Sequence, residues 1–293
     1  AASKDLRVAA GLLDIRLIAG NADLVAAVQL DAIEFWRKNA RENLADLHKS
    51  LQVRHARSGE LAYLLEPDLK EARGGLRDIQ ALRAISLSAA VTVPLEKISW
   101  AEGTLNNVRE ALHIASGRGK DRLLFQEQDK VAKLLNYPDA DAMMSDVARA
   151  ARSVDYLLNY TWHAIEHKGK DGLGRILKRP RVATVAKNVS ASNREIVIDP
   201  FTSLDDDPVV GLRAAATAAQ LGLPLSLDTC TELAEKLKTG QGKLPTPWPR
   251  EARELLISLI GAGETNTLVG KYLKKAGYRN FSIYNRTLEK AQL

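Results

Sequence analysis

Residues 70–78 combine basic side chains with a glycine pair, a pattern that suits the binding of a phosphate group. A lysine supplies a point charge, and an arginine supplies a planar donor that can bind phosphate through two hydrogen bonds. Glycines let the backbone come close to a bulky anion. The candidate phosphate-binding residues are three basic residues and the two glycines: Lys70, Arg73, Arg77, Gly74 and Gly75.

A helix is predicted to begin near Leu76 or Asp78, directly after the glycines. The free N–H groups at a helix start favour an anion nearby. Asp78 would cap this helix or orient an arginine. On these residues alone, a loop-to-helix junction with solvated charges is the better-supported interpretation, because the pattern matches neither of the glycine-rich phosphate-loop signatures.

Other residues with possible metal or redox chemistry are few. His163 and His167 have the spacing of metal ligands on one helix turn, but no H-E-x-x-H pattern and no third ligand accompany them. A solvated or partly buried pair is therefore expected. Cys230 is the single cysteine, which excludes an internal disulfide and a metal site built on cysteines.

Composition favours a mainly α protein of about two domains. The chain has 293 residues, of which 45% are hydrophobic and 27% charged, as in ordinary globular proteins. Alanine and leucine are abundant, and both enter helices at little cost. The net charge of +6 is compatible with nucleotide phosphates or an acidic protein partner. The basic residues are scattered, so binding to nucleic acid is not expected.

No apolar run approaches the roughly 20 residues that cross a bilayer, and the start of the chain has no apolar signal region. We therefore expect no membrane association and a cytoplasmic location. The chain does not begin with methionine, which suggests a fragment.

Apolar residues recur at helical spacing along most of the chain, and two short β-branched runs indicate strands. An extended segment is predicted at 62–65 and a loop at 239–249. The predicted strands are 182–185 and 195–198, and the predicted helices are 4–18, 21–53, 76–90, 105–115, 121–135, 140–167, 209–220 and 229–238.

The motif LEPDLKEARGGLRDI at residues 65–79 resembles the signature of the PII uridylyltransferases/uridylyl-removing enzymes, whose actinobacterial members act as PII adenylyltransferases. Ala72 stands where that family often has proline. Further matches follow in the family's order, and the resemblance covers about residues 1–262. They lie at residues 5–20, 111–113, 121–125 and 131–137.

The resemblance implies transfer of UMP or AMP from UTP or ATP to a tyrosine of the PII signalling protein, with Mg²⁺. It adds Arg122 as a phosphate-binding candidate. The family's Gly-Ser and Asp-x-Asp catalytic motifs are not in this sequence, so we expect no catalytic residue, no metal ligand and no activity of the chain alone. A non-catalytic helical module that docks PII or packs between catalytic domains is the alternative.

The resemblance also implies four regions: the end of a truncated nucleotidyltransferase domain, a helical-bundle-like domain, a less regular segment with further helices, and a tail. These regions are 1–20, 21–167, 168–262 and 263–293.

The tail has a different character. Residues 259–284 have the pattern strand, glycine turn, helix, strand, with Asn266 at the third glycine position of G-x-G-x-x-G. Together with Asn285, Arg286 and Thr287, this short βαβ-like pattern resembles the NADPH-binding turn of the glutamyl-tRNA reductases. It indicates a join near Gly261, by a chimera or a true fusion. A fragment of an NADPH-dependent reductase is a third hypothesis, which rests on the tail alone.

Overall fold

The computed structural model describes residues 6–168 and 182–259, and these residues form a mainly α structure, as predicted. The chain divides into two compact units, Ala1–Gly172 and Leu173–Leu293. The predicted βαβ-like tail lies outside the described residues. Within the described ranges, no helix is long and apolar enough to cross a membrane.

Unit 1 is a helical bundle arranged around its last and longest helix. This helix, α7, packs against α4, α5 and α6, and buried residues recur along it every three or four positions. Short 3₁₀ turns lie at Leu61–Tyr63 and Leu95–Ile98. The helices are α1 (Leu6–Leu12), α2 (Ala22–Lys38), α3 (Ala40–Ser58), α4 (Leu76–Leu87), α5 (Ser99–Ser116), α6 (Phe125–Leu134) and α7 (Ala140–Lys168).

The long helix predicted over 21–53 is wrong in one respect, because it consists of two helices. Its start is as expected: the Asn21 side chain accepts hydrogen bonds from the first-turn N–H groups of α2. Asn39 then separates α2 from α3, and its amide donates to the carbonyl of Phe35 at 2.9 Å. Such a side chain competes with the helix backbone for hydrogen bonds. The chain turns again at Gly59, which ends α3 with a φ of 72°.

The segment after Gly59 also differs from the prediction of an extended run at 62–65. Its first part is the 3₁₀ turn Leu61–Tyr63, and extended backbone begins at Leu64. From there the chain runs to α4, which begins at Leu76, one of the two predicted positions.

In the described part of unit 2, residues 182–259, a small antiparallel sheet is joined to three helices. Both predicted strands are present, and a third strand lies between them. Asn188 and Asn193 adopt positive φ in the turns that connect the strands. The elements are β1 (Ala183–Ala186), β2 (Val189–Ser192), β3 (Glu195–Ile198), α8 (Val210–Leu221), α9 (Leu227–Lys238) and α10 (Arg250–Leu259). Its core consists of buried residues from the sheet, the loop after β3 and α8: Val189, Ile196, Leu204, Val210, Ala214 and Ala218.

Candidate functional site

The signature motif forms an irregular loop that leads into the first turn of α4. We call residues 66–78 the hub segment, because groups of α3, α6 and α7, and Asp121 from the loop before α6, all contact it or its immediate neighbours. Its centre is Asp78, whose side chain is fully buried.

The Asp78 carboxylate accepts hydrogen bonds from three directions. The Arg54 guanidinium lies at 2.5 Å, the His55 Nε2 at 2.9 Å, and the backbone N–H of Gly74 at 2.6 Å. Burial by itself would raise the pKa of Asp78. The hydrogen bond from His55 and the charge of Arg54 outweigh burial and lower the pKa. A carboxylate with a lowered pKa thus ties α3, the glycine turn and α4 together.

A second carboxylate, Asp121, holds the other side of the hub segment. It accepts from Arg109 at 2.6 Å and from His113 at 3.0 Å, both on α5. Its backbone carbonyl accepts the N–H of Leu69 at 2.8 Å, and the ammonium of Lys70 lies 3.7 Å from its side chain. Burial raises the pKa of Asp121, but the hydrogen bonds from Arg109 and His113, with the charges of Arg109 and Lys70, lower it by more.

The glycine pair is required by packing. Gly74 has a φ of +85°, and a Cβ there would lie 2.5 Å from the carbonyl oxygen of Ala151 on α7. At Gly75 a Cβ would lie 2.8 Å from the carbonyls of Ala72 and Leu69. Both contacts are too short for any side chain, so Gly74 allows the turn to pass close to α7 and Gly75 allows the segment to fold tightly on its own carbonyls.

Arg73 points back toward α7 and lies mostly out of solvent. Its Nε is 2.5 Å from the carboxylate of Asp155, and its Nη1 is 3.6 Å from Glu60. Burial, together with the carboxylates of Asp78 and Glu60, raises the pKa of Asp155 even though Arg73 lowers it. The Arg73 side chain borders a groove of about 150 Å³ on this face of α7.

The remaining basic candidates are more exposed. Lys70 is one-third exposed, Arg77 is 46% exposed and Arg122 is 63% exposed. The Arg77 guanidinium contacts Gln80 at 2.9 Å, and that of Arg122 contacts Glu66 at 3.2 Å. The backbones of Lys70 and Arg77 meet within the hub segment, since the N–H of Arg77 donates to the carbonyl of Lys70. Arg122 lies outside the segment but pairs with it through an isolated bridge to Asp68.

The sequence prediction located the hub segment but missed the groups that hold it. The missed residues come from α3, α5, α7 and the loop before α6, all outside the motif in sequence. A weak signal was present only on α5, where a basic residue and a histidine four positions apart precede an aspartate. The missed residues are Arg54, His55, Arg109, His113, Asp121 and Asp155.

The carboxylates near the hub segment do not fit a Mg²⁺ site. Asp78, Asp121 and Asp155 each accept from an arginine, which leaves no free pair of carboxylates for a cation. Among the described residues, no group of three His, Cys, Asp or Glu side chains could hold a metal ion. His163 is half-buried in α7, and the side chain of His167 lies outside the described part.

Comparison with known proteins identifies two families along the chain. Residues 42–94 and 91–162 match the family model described as GlnD PII-uridylyltransferase, which spans the hub segment and α3 to α7. Residues 250–293 match the model of shikimate/quinate 5-dehydrogenase. The second match covers the tail. The sequence pattern of the tail resembles the NADPH-binding turn of another enzyme family, the glutamyl-tRNA reductases. No solved structure matches the chain.

Curated relatives of the chain are also described as uridylyltransferases. A bifunctional uridylyltransferase/uridylyl-removing enzyme of Streptomyces coelicolor is 40% identical over 94% of this chain and 34% of its own length. The enzyme of that name from Mycobacterium tuberculosis is 32% identical, and that from Corynebacterium glutamicum 28%, each over 94% of this chain. The chain spans between 34% and 39% of the length of these three relatives.

Proposed function

Since residues 42–162 of this chain belong to the GlnD PII-uridylyltransferase family, we propose that the chain is a structural segment of an enzyme that transfers a nucleotide to a PII protein. The donor is UTP or ATP, and the acceptor is a tyrosine hydroxyl of PII. The enzyme acts in the cytoplasm. Mg²⁺ and the carboxylates that bind it belong to another part of the parent enzyme, so no chemical step is assigned to residues of this chain.

In this proposal the chain provides a rigid scaffold that presents basic side chains to the phosphates of the nucleotide. The supporting observation is the buried Asp78 carboxylate, which fixes the glycine turn and the start of α4 from three sides. Lys70, Arg77 and Arg122 remain at the surface and make the phosphate contacts. Arg73, with Gly74 and Gly75 beside it, sets their position by packing against α7.

The partly exposed carboxylates beside these cations are compatible with this role. Glu66 and Glu71 make surface contacts with Arg122 and Arg77, and such surface pairs contribute only about 0–1 kcal/mol. A nucleotide phosphate forms stronger charge-assisted hydrogen bonds with arginine, so it can replace the carboxylates.

The test is a segment exchange in the Streptomyces coelicolor relative, with its matched third replaced by this chain. Transfer to a purified PII protein is measured with UTP and with ATP in separate reactions. We expect transfer with one of the two donors. Arg77→Ala should lower kcat/KM for that donor by roughly tenfold or more, because it removes a charge-assisted contact.

Arg83→Ala is the matched control, because Arg83 is similarly exposed on the same helix and contacts Glu102. Its rate should stay within about twofold of the parent. If the exchanged enzyme is folded but transfers no nucleotide while the unmodified relative does, the proposed function is wrong. If only Arg77→Ala is without effect, the phosphate contact is wrong and the scaffold role remains.

A further inference from the structure

An exposed apolar patch borders the hub segment. It consists of four large side chains, of which Tyr63 is 72% exposed, Leu65 69% and Phe125 63%, while Leu64 is partly covered. Single apolar residues at a surface are ordinary, but several in one place mark an interaction site. We refer to Tyr63, Leu64, Leu65 and Phe125 as the apolar patch.

Two hydrogen bonds bring the parts of the patch together. The Gln128 amide on α6 donates to the carbonyl of Leu65 at 2.8 Å, and the N–H of Phe125 donates to the Glu66 side chain at 3.1 Å. Gln128 and Phe125 are neighbours on the same turn of α6. The segment 65–66 therefore lies along the first turn of α6, which begins at Phe125.

Basic residues flank the patch where the chain enters α6. Arg118, Lys120 and Arg122 alternate along an exposed stretch, which we call the basic rim. Arg122 connects the rim to the patch through its contact with Glu66. In the described part of the chain, the side chains of Arg118 and Lys120 have no hydrogen-bonding or ionic partner.

We propose that the apolar patch and the basic rim dock an acidic segment of the PII substrate, with an apolar side chain of that segment seated between Leu65 and Phe125. This inference rests on the proposed function. The partner's charge follows from the unpaired cations of the rim, since oppositely charged surfaces steer association. Exposed aromatic and arginine side chains are also the types enriched at protein interfaces. Docking here places the acceptor protein beside Arg122.

The test measures binding of the full chain to purified PII protein of Streptomyces coelicolor by calorimetric titration, without nucleotide. The double variant Leu65→Ala/Phe125→Ala should weaken binding at least roughly tenfold, because truncation of central apolar anchors has large effects. Leu30→Ala is the matched control, because Leu30 on α2 is 68% exposed, and it should bind as the parent does. Circular dichroism checks that the variants fold.

The charge of the partner is tested separately. Arg118→Glu/Lys120→Glu should weaken binding at low salt and flatten its dependence on ionic strength. Equal affinities of the patch variant and the parent would overturn the proposal, as would an absence of binding by the parent chain. Patch variants that abolish self-association in sedimentation would also overturn it, since the patch would then bind a second copy. Transfer activity in the segment exchange tests the function independently of this result.

Discussion

Gly74 is the residue at which the smallest change should have the largest effect. A methyl group there would overlap the carbonyl oxygen of Ala151, and the residue would also have to keep a φ of +85°. We expect Gly74→Ala to lower the free energy of unfolding by about 2–4 kcal/mol, because both the overlap and the backbone strain must be relieved. Urea denaturation followed by circular dichroism measures this change.

Gly103→Ala is the natural comparison, because Gly103 lies in the exposed interior of α5 with no atom near the added carbon. This substitution should stabilise the chain by up to about 1 kcal/mol, since alanine favours the helix more than glycine does. Destabilisation of equal size at both positions would contradict the packing role of Gly74.

The candidate residues show why a local sequence motif predicts the location of a functional segment more easily than the role of each residue in it. Basic side chains beside two glycines suggested an anion site, yet Gly74 is required by its contact with α7 and Arg73 by its pair with Asp155. Asp155 is 82 positions from Arg73, and a short sequence motif cannot predict a contact over that separation. The phosphate-binding roles of Lys70, Arg77 and Arg122 remain predictions.

Between elements, the junction of α3, α4 and the glycine turn should be sensitive to acid. The pKa of Asp78 is lowered in the folded state, so its contribution to stability is complete above the unfolded pKa of about 3.9. That contribution is lost as the pH falls through the lower folded pKa. Asp155 has a raised pKa in the folded state, so its contribution to stability increases as the pH falls. The effect of Asp78 on the pH dependence is therefore measured by comparing the parent with matched variants.

We expect Asp78→Asn to cost about 3 kcal/mol at pH 7, because it leaves the charge of Arg54 without its buried partner. The variant should also lose less stability than the parent between pH 5 and about 3. Urea titrations at several pH values measure both effects. Asp129→Asn, at an exposed position of α6, should leave the pH profile unchanged. Parallel profiles for the parent and Asp78→Asn would contradict the acid-sensitive junction.

Element boundaries followed the sequence where apolar spacing was regular and deviated where side chains interfere with the backbone. Helix α7 matches its prediction because one apolar stripe continues through its length. The break at Asn39 depends on side-chain amides bonding to helix carbonyls, which spacing does not reveal. Strand β2 was missed because its sequence, VSAS, is short and half polar. Its ends are defined by tight turns on both sides, which apolar spacing does not predict.

At the scale of the whole molecule, each unit is held by its own buried ion pair. In unit 2 this centre is Arg213, which contacts Glu251 at 2.6 Å and Asp207 at 2.7 Å. The bond to Glu251 and the contact with Asp207 raise the pKa of Arg213 despite its burial. Arg213 therefore joins α8, α10 and the loop before α8, as Asp78 joins α3 and α4 in unit 1.

Because each unit has its own core, we expect a destabilising substitution in one unit to increase local unfolding in that unit alone. Arg213→Ala leaves Asp207 without its main cation and should cost about 3 kcal/mol in unit 2. Hydrogen exchange followed by mass spectrometry should then show faster exchange in β2, β3 and α8, with protection of α4 and α7 retained. Gly74→Ala should give the reverse pattern. Loss of protection in both units from either single variant would mean that the chain unfolds as one cooperative structure.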